Sequence, residues 1–145
     1  MTKYQIQAQI NTIQGNIDAE NNEISGLENK IAKIEAATTK LVNGKDNLSA
    51  YCSTQKTKIQ SEKSNYSKVR LIDKYIAAVV DVLDGTEHET ANGKFEEAKS
   101  KLDRKKKEAI DNIDKLEASI KTEKKRISDL RIQYKEIVKK EQKTK

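Results

Sequence analysis

Residues 6–34, IQAQINTIQGNIDAENNEISGLENKIAKI, decide the fold class, because isoleucine and leucine recur in them at alternating steps of four and three residues. The same phase carries apolar residues on to Leu83, and a second register runs from Phe95 to Ile137. Seven-residue repeats of this length are typical of helices that bury one narrow apolar seam against another helix. The sequence therefore predicts an all-α fold, an elongated antiparallel helical hairpin of the coiled-coil type.

The composition favours the same architecture. The 145 residues include no proline, no tryptophan and one phenylalanine, and 34% of them are hydrophobic against 36% charged. So few apolar side chains cannot fill the core of a compact α/β domain. The absence of proline removes the strongest helix breaker. We therefore expect one helical domain over residues 1–145.

The turn of the hairpin is predicted at the segment DGTEHE, residues 84–89. Gly85 can take the left-handed conformation that closes a helix. Thr86 and Glu89 have the spacing of a capping box that opens the next helix. The pair Asn92-Gly93 follows closely. We expect a helix over 3–84, a turn over 84–93 and a helix over 93–142.

A second glycine-bearing segment, NGKD at 43–46, leaves an alternative open. A break there would give three helices of similar length, whereas a helix over 3–84 would be longer than the second helix that packs against it. The heptad phase is unbroken from Leu41 through Leu48, which favours a continuous helix, kinked near 43–46 at most. Polar residues occupy the seam nearby, so the middle of the hairpin should be its softest part; they are Thr38, Lys45, Gln55 and Glu62.

Apolar residues between 71 and 83 exceed what one seam needs, so this segment is apolar nearly all round. Such a helix requires more than one neighbour. One interpretation is a well-packed hairpin tip, and the other is a surface that docks a partner. The predicted partner interface consists of Leu71, Ile72, Ile76, Val79, Val80, Val82, Leu83, Gly85, Ala91, Phe95, Ala98 and Leu102.

The sequence offers little for catalysis. His88 is the only histidine and Cys52 the only thiol, and they lie in different parts of the chain, whereas a Cys–His nucleophile pair needs them adjacent. Cys52 falls on the seam, where a free cysteine behaves as a small apolar residue. Gly44-Lys45 lacks the remaining residues of a phosphate-binding loop. We expect no enzyme activity, no cofactor and no metal site.

The net charge of +6 lies entirely in the last third, where residues 94–145 carry 18 Lys and Arg against 11 Asp and Glu. Such an imbalance suits an acidic partner, nucleic acid or an acidic membrane surface. Acidic residues interleave with the cluster Arg104–Lys107, and this helix offers only Phe95 and Tyr134 for base stacking. Nucleic-acid binding is therefore the weaker interpretation.

Three segments together resemble a known family: ISGLENKIAKIEAATTKL at 24–41, VLDGTEHETANGKFEEAKSKLD at 82–103 and the Lys/Glu-rich IDNIDKLEASIKTEKKRISDLRIQ at 110–133. They are similar to the YwqH-like family, small helical proteins encoded beside LXG toxins of the type VII (ESX-like) secretion system. Gly85, Ala91 and Phe95 occupy the places of that family's turn and following helix, with Leu83 where a Trp is usual.

The resemblance implies a WXG100-like, non-catalytic adaptor or chaperone that packs against the helical N-terminal domain of an LXG toxin and supports its stability or export. The alternatives are a self-associating coiled-coil scaffold and a basic binder of nucleic acid or membrane surfaces. The start of the chain has no apolar core of a signal peptide. We expect a cytoplasmic protein without a transmembrane segment, with export through type VII secretion and without a cleaved signal as the alternative.

Overall fold

The computed structural model describes residues 1–65 and 70–143, with side chains described except at 63–65, 70 and 72. It contains α1 (Lys3–Asn65), α2 (Arg70–Asp84) and α3 (Thr86–Lys143), and no strand in the described part of the chain. Antiparallel contacts pair α1 with the two helices that follow it. The prediction of an all-α helical hairpin is confirmed.

The first helix begins with a capping box at Thr2. The Thr2 hydroxyl accepts a hydrogen bond from the Gln5 N–H at 3.3 Å, and the Gln5 side chain accepts one from the Thr2 N–H at 2.8 Å. This reciprocal pair satisfies two donors that the first turn of a helix cannot pair internally. Thr2 and Gln5, three residues apart, therefore determine where α1 begins.

The chain forms two compact units. The terminal unit comprises residues 1–32 and 106–145, and the central unit comprises residues 33–105. The terminal unit has an isoleucine-rich core of Ile6, Ile10, Ile13, Ile17, Ile24, Ile120, Ile127 and Leu130. Among the described residues of the central unit, only Ile34 and Ile76 are buried apolar side chains. That the whole chain acts as a single domain stays a prediction.

The chain reverses direction earlier than we predicted. In the central unit Lys56 forms an ion pair with Asp84, and Lys45 forms one with Glu96. As residue numbers fall along α1, the residue numbers of its ion-pair partners rise. The helix α1 therefore lies antiparallel to both α2 and α3. The predicted helix over 3–84 is wrong, since α1 ends at Asn65 and the reversal lies between α1 and α2. The seam positions predicted at Tyr66 and Val69 lie outside the described residues.

The predicted turn over 84–93 is a bend between α2 and α3 at Gly85 alone. The Gly85 N–H donates to the Asp81 carbonyl at 2.6 Å, and the Glu89 N–H donates to the Gly85 carbonyl at 3.0 Å. These helical bonds replace the predicted capping box. No described glycine has a positive φ, so the left-handed closure at Gly85 is wrong as well. A Cβ at Gly85 would instead collide with the Asp81 carbonyl oxygen, which explains the need for glycine.

The alternative break near 43–46 is absent, because α1 continues through these residues. Gly44 lies opposite Phe95, and a Cβ added to Gly44 would rest 3.7 Å from the Phe95 ring. The unbroken heptad phase is therefore the better guide here than the Asn-Gly pair.

Candidate interaction surface

The second helix has an apolar face on each side. On its inner side Ile76 is 6% exposed and Val80 and Leu83 are half-buried. On its outer side Leu71 is 74% exposed and Val82 is 54% exposed. The large aliphatic side chains on the outer side are exposed to solvent, whereas those on the inner side of the same helix are part of the seam. This second face is what a partner helix could cover.

The exposed side chains are spaced as a heptad stripe. Leu71, Tyr75, Ala78 and Val82 follow one another at steps of four, three and four residues, and all four are exposed, Tyr75 at 66%. Steps of four and three keep residues on one side of a helix. We call these four residues the outer stripe. It has the pattern of a coiled-coil seam, yet none of its four members is buried.

The structure divides the described residues of the predicted interface into exposed, buried and half-buried ones. Leu71 and Val82 belong to the outer stripe and Ile76 is buried, whereas Val79, Val80, Leu83 and Gly85 are half-buried on α2 and at the bend. The α3 members, Ala91, Phe95, Ala98 and Leu102, are also half-buried. Ile72 belongs to α2, but its side chain lies outside the described residues.

The predicted interface omitted Tyr75 and Ala78, two exposed residues of the outer stripe. The signal was available, because 71, 75, 78 and 82 repeat the four-three spacing in a phase different from the seam residues Ile76, Val80 and Leu83. The excess of apolar residues between 71 and 83 was predicted, but not its arrangement as a second register. Two registers in one helix indicate two apolar faces.

Two exposed charges lie beside the outer stripe. Lys74 and Asp81 are one heptad apart on the same flank. Neither has an opposite charge three or four residues away in the sequence, which is the spacing at which helical side chains pair. Among the described residues no ion pair involves either one. Both charges can therefore meet a partner.

At the end of α2, Asp84 pairs with Lys56 of α1. The hydrogen bond from Lys56, reinforced by its charge, lowers the pKa of the Asp84 carboxyl from its ordinary value. Lys45 lowers the pKa of Glu96 in the same way. These ion pairs join α1 to the returning helices across the polar seam positions that the sequence identified as soft.

Cys52 and His88 lie closer to each other along the helix axes than their separation in the sequence suggested. The pairs Lys56–Asp84 and Lys45–Glu96 place them at the same level of the central unit, and both side chains are half-buried. The His88 ring contacts Asn92 at 3.4 Å, and no hydrogen bond between His88 and Cys52 appears in the described part. Within residues 1–65 and 70–143, no three His, Cys, Asp or Glu residues are grouped so as to hold a metal ion.

The basic stretch of α3 is a solvated helix face with internal ion pairs. Lys101 pairs with Glu97 at 3.1 Å, and Lys99 lies 3.9 Å from Asp103. Arg104, Lys105 and Lys107 are exposed. Pairs at this spacing neutralise part of the positive charge, so the face is less suited to phosphates than its composition suggests.

Comparison with known proteins yields no matching family model, no similar curated protein and no similar solved structure. None of the described helices combines the length and the apolar character that crossing a membrane requires.

Proposed function

We propose that this chain is a non-catalytic helical adaptor that binds a helical domain of another protein through the outer stripe of α2. The observation that carries the proposal is the exposure of Leu71, Tyr75 and Val82 in heptad spacing. An apolar helix face that the chain itself leaves uncovered is typical of a helix-in-groove or coiled-coil interface. Its burial against a second apolar surface would be favourable by about 25 cal/mol per Å².

The partner we propose is the helical N-terminal domain of an LXG-type toxin, whose stability or export through type VII secretion the adaptor would support. The resemblance of residues 24–41, 82–103 and 110–133 to the YwqH-like family supports this choice. The excess of Lys and Arg after residue 94 favours a partner with acidic residues on its docking face. The soft central unit is where such a partner would contribute most stability.

The test is a binding titration with the purified helical domain of a toxin encoded beside this chain. Leu71→Asp/Val82→Asp should weaken binding at least about a hundredfold, because both charges would be buried in an apolar interface. The matched control is Ile110→Asp/Ile132→Asp, which changes two exposed α3 isoleucines in the terminal unit. The control should bind as the unchanged protein does, and both variants should keep their helical circular dichroism.

A thermal melt supplies a second readout. A partner that binds only the folded chain adds about 2.7 kcal/mol at a hundred times its Kd, so the midpoint should rise with partner concentration. Equal binding by the α2 variant and the unchanged protein would place docking elsewhere. A midpoint that no helical domain raises would contradict the adaptor function.

A further inference from the structure

The outer stripe is nearly palindromic. Leu71 and Val82 lie equally far from the point between residues 76 and 77, and so do Tyr75 and Ala78. If a second α2 lies antiparallel on the first, Leu71 meets Val82 of the other copy and Tyr75 meets Ala78. The largest side chain of the stripe then lies opposite the smallest, an arrangement that lets two helix faces interlock without voids. The stripe is therefore complementary in shape to a reversed copy of itself.

The flanking charges have the same complementarity. In a heptad with Tyr75 and Val82 at position a, Lys74 and Asp81 both occupy position g. Antiparallel helices bring one g flank against the other, so Lys74 of each copy meets Asp81 of the other copy. A parallel pair would instead bring this flank against the e flank, where Val79 lies. Charges at these positions select partner and orientation in coiled coils, and here they select a reversed second copy.

We propose that, in the absence of its helical partner, the outer stripe pairs with the outer stripe of a second copy, forming an antiparallel, twofold-symmetric homodimer that the partner displaces. This inference rests on the proposed function in assigning the outer stripe to a helix–helix interface. Both copies use the same patch, as a twofold axis requires. Four residues from each copy bury less than the ~1,200 Å² of standard interfaces, so the dimer should dissociate at micromolar concentrations and exchange readily.

Charge reversal gives the sharpest test. Lys74→Asp places Asp against Asp81 twice in the dimer, and Asp81→Lys places Lys against Lys74 twice. Each variant alone should dimerise at least about tenfold more weakly than the unchanged protein in sedimentation equilibrium, since like charges at these flanks are repulsive. An equimolar mixture of the two variants restores opposite charges at both contacts. The mixture should therefore form heterodimers about as tightly as the unchanged protein forms homodimers.

Lys115→Asp is the matched control for Lys74→Asp. It makes the same change in net charge at an exposed α3 residue away from the outer stripe. It should dimerise as the unchanged protein does, and circular dichroism should confirm that all variants stay helical. An unchanged protein that is monomeric up to about 1 mM would overturn the proposal, as would single variants that dimerise normally or a mixture that does not recover.

The same variants separate this proposal from the adaptor function. Asp81→Lys keeps Leu71, Tyr75 and Val82 and adds positive charge toward an acidic docking face, so it should still bind the toxin domain, and at least as tightly because no dimer competes. Partner binding by a chain that never dimerises would sink the homodimer and leave the adaptor standing. In a mixture of unchanged protein and partner, we expect the dimer fraction to fall as complex forms; a ternary complex with an intact dimer would overturn displacement.

Discussion

The terminal and central units use one sequence pattern and achieve very different packing. In the terminal unit most seam positions are apolar, most often isoleucine, and Ile6, Ile17 and Ile127 are at most 5% exposed. In the central unit polar residues interrupt the seam, and the ion pairs of Lys45 and Lys56 join the helices instead. Apolar burial stabilises a helix pair more than exposed ion pairs do. We therefore expect the terminal unit to be the more stable of the two and the central unit the softer.

This difference places the soft part of the chain next to the proposed docking surface. The outer stripe lies on α2, which belongs entirely to the central unit. The low-stability regions of proteins are commonly the ones that rearrange on binding. A partner on the outer stripe would thus stabilise the unit that has the weakest core of its own.

Truncation of the seam should have the largest effect and should differ between the units. Ile17→Ala removes a side chain that is 2% exposed and should lower the free energy of unfolding by about 3 kcal/mol. Leu48→Ala, at a half-buried position of the central unit, should cost about 1 kcal/mol because less area is lost. Urea denaturation followed by circular dichroism measures both. Equal losses would mean that the central seam is packed as firmly as the terminal one.

Glycine substitutions give the next largest effect, with opposite signs inside the central unit. Gly85→Ala would push a Cβ into the Asp81 carbonyl oxygen and should destabilise by more than about 1 kcal/mol. Gly93→Ala meets no atom within 4 Å and should stabilise α3 by about 0.5–1 kcal/mol, since alanine loses less backbone entropy in a helix. Thermal unfolding of the two variants measures both signs. A stabilising Gly85→Ala would show that the bend tolerates a side chain.

Acid should remove the ion pairs of the central unit. The pKa values of Asp84 and Glu96 are lowered by the hydrogen bonds and charges of Lys56 and Lys45. Their stabilisation is therefore present above the ordinary carboxyl pKa of about 4 and is lost as the pH falls through the lowered values. Lys45→Met/Lys56→Met should lower the urea midpoint at pH 6 and match the unchanged protein near pH 2. A difference that is independent of pH would mean that packing of the lysine stems is responsible.

The smallest effect concerns the end of the terminal unit. The hydrogen bond and charge of Glu141 raise the pKa of Lys3 above its ordinary value. This stabilisation is present below the ordinary lysine pKa of about 10.4 and is lost as the pH rises through the raised value. Hydrogen exchange at the first turns of α1 should be slower in the unchanged protein than in Lys3→Met at pH 7. Identical protection would show that the pair contributes nothing measurable at this exposed site.

Most of the terminal unit could be predicted from the sequence, because its seam residues follow one register in α1 and a second register in α3. Ile10, Ile13 and Ile24 are buried where the four-three spacing places them. Of the outer stripe, the predicted interface included Leu71 and Val82 and omitted Tyr75 and Ala78. The sequence predicted that residues 71–83 are apolar on more than one side, but only the exposures in the structure show which residues form the outer face.

The sequence by itself determined that the chain is helical and which residues form the seam, since both follow from local spacing and the absence of proline. It did not determine where the chain reverses. Gly85 was compatible with a turn or with a bend, and residues 66–69 contain neither glycine nor proline. The tertiary structure decided between a reversal at Gly85 and a reversal between α1 and α2. In the central unit a reversal after α1 lets α2 and the beginning of α3 pack against α1, where Lys56 meets Asp84 and Lys45 meets Glu96. In the terminal unit the isoleucine seam of α1 packs against α3. A turn at Gly85 would instead lengthen the first helix and leave part of its apolar seam exposed to water.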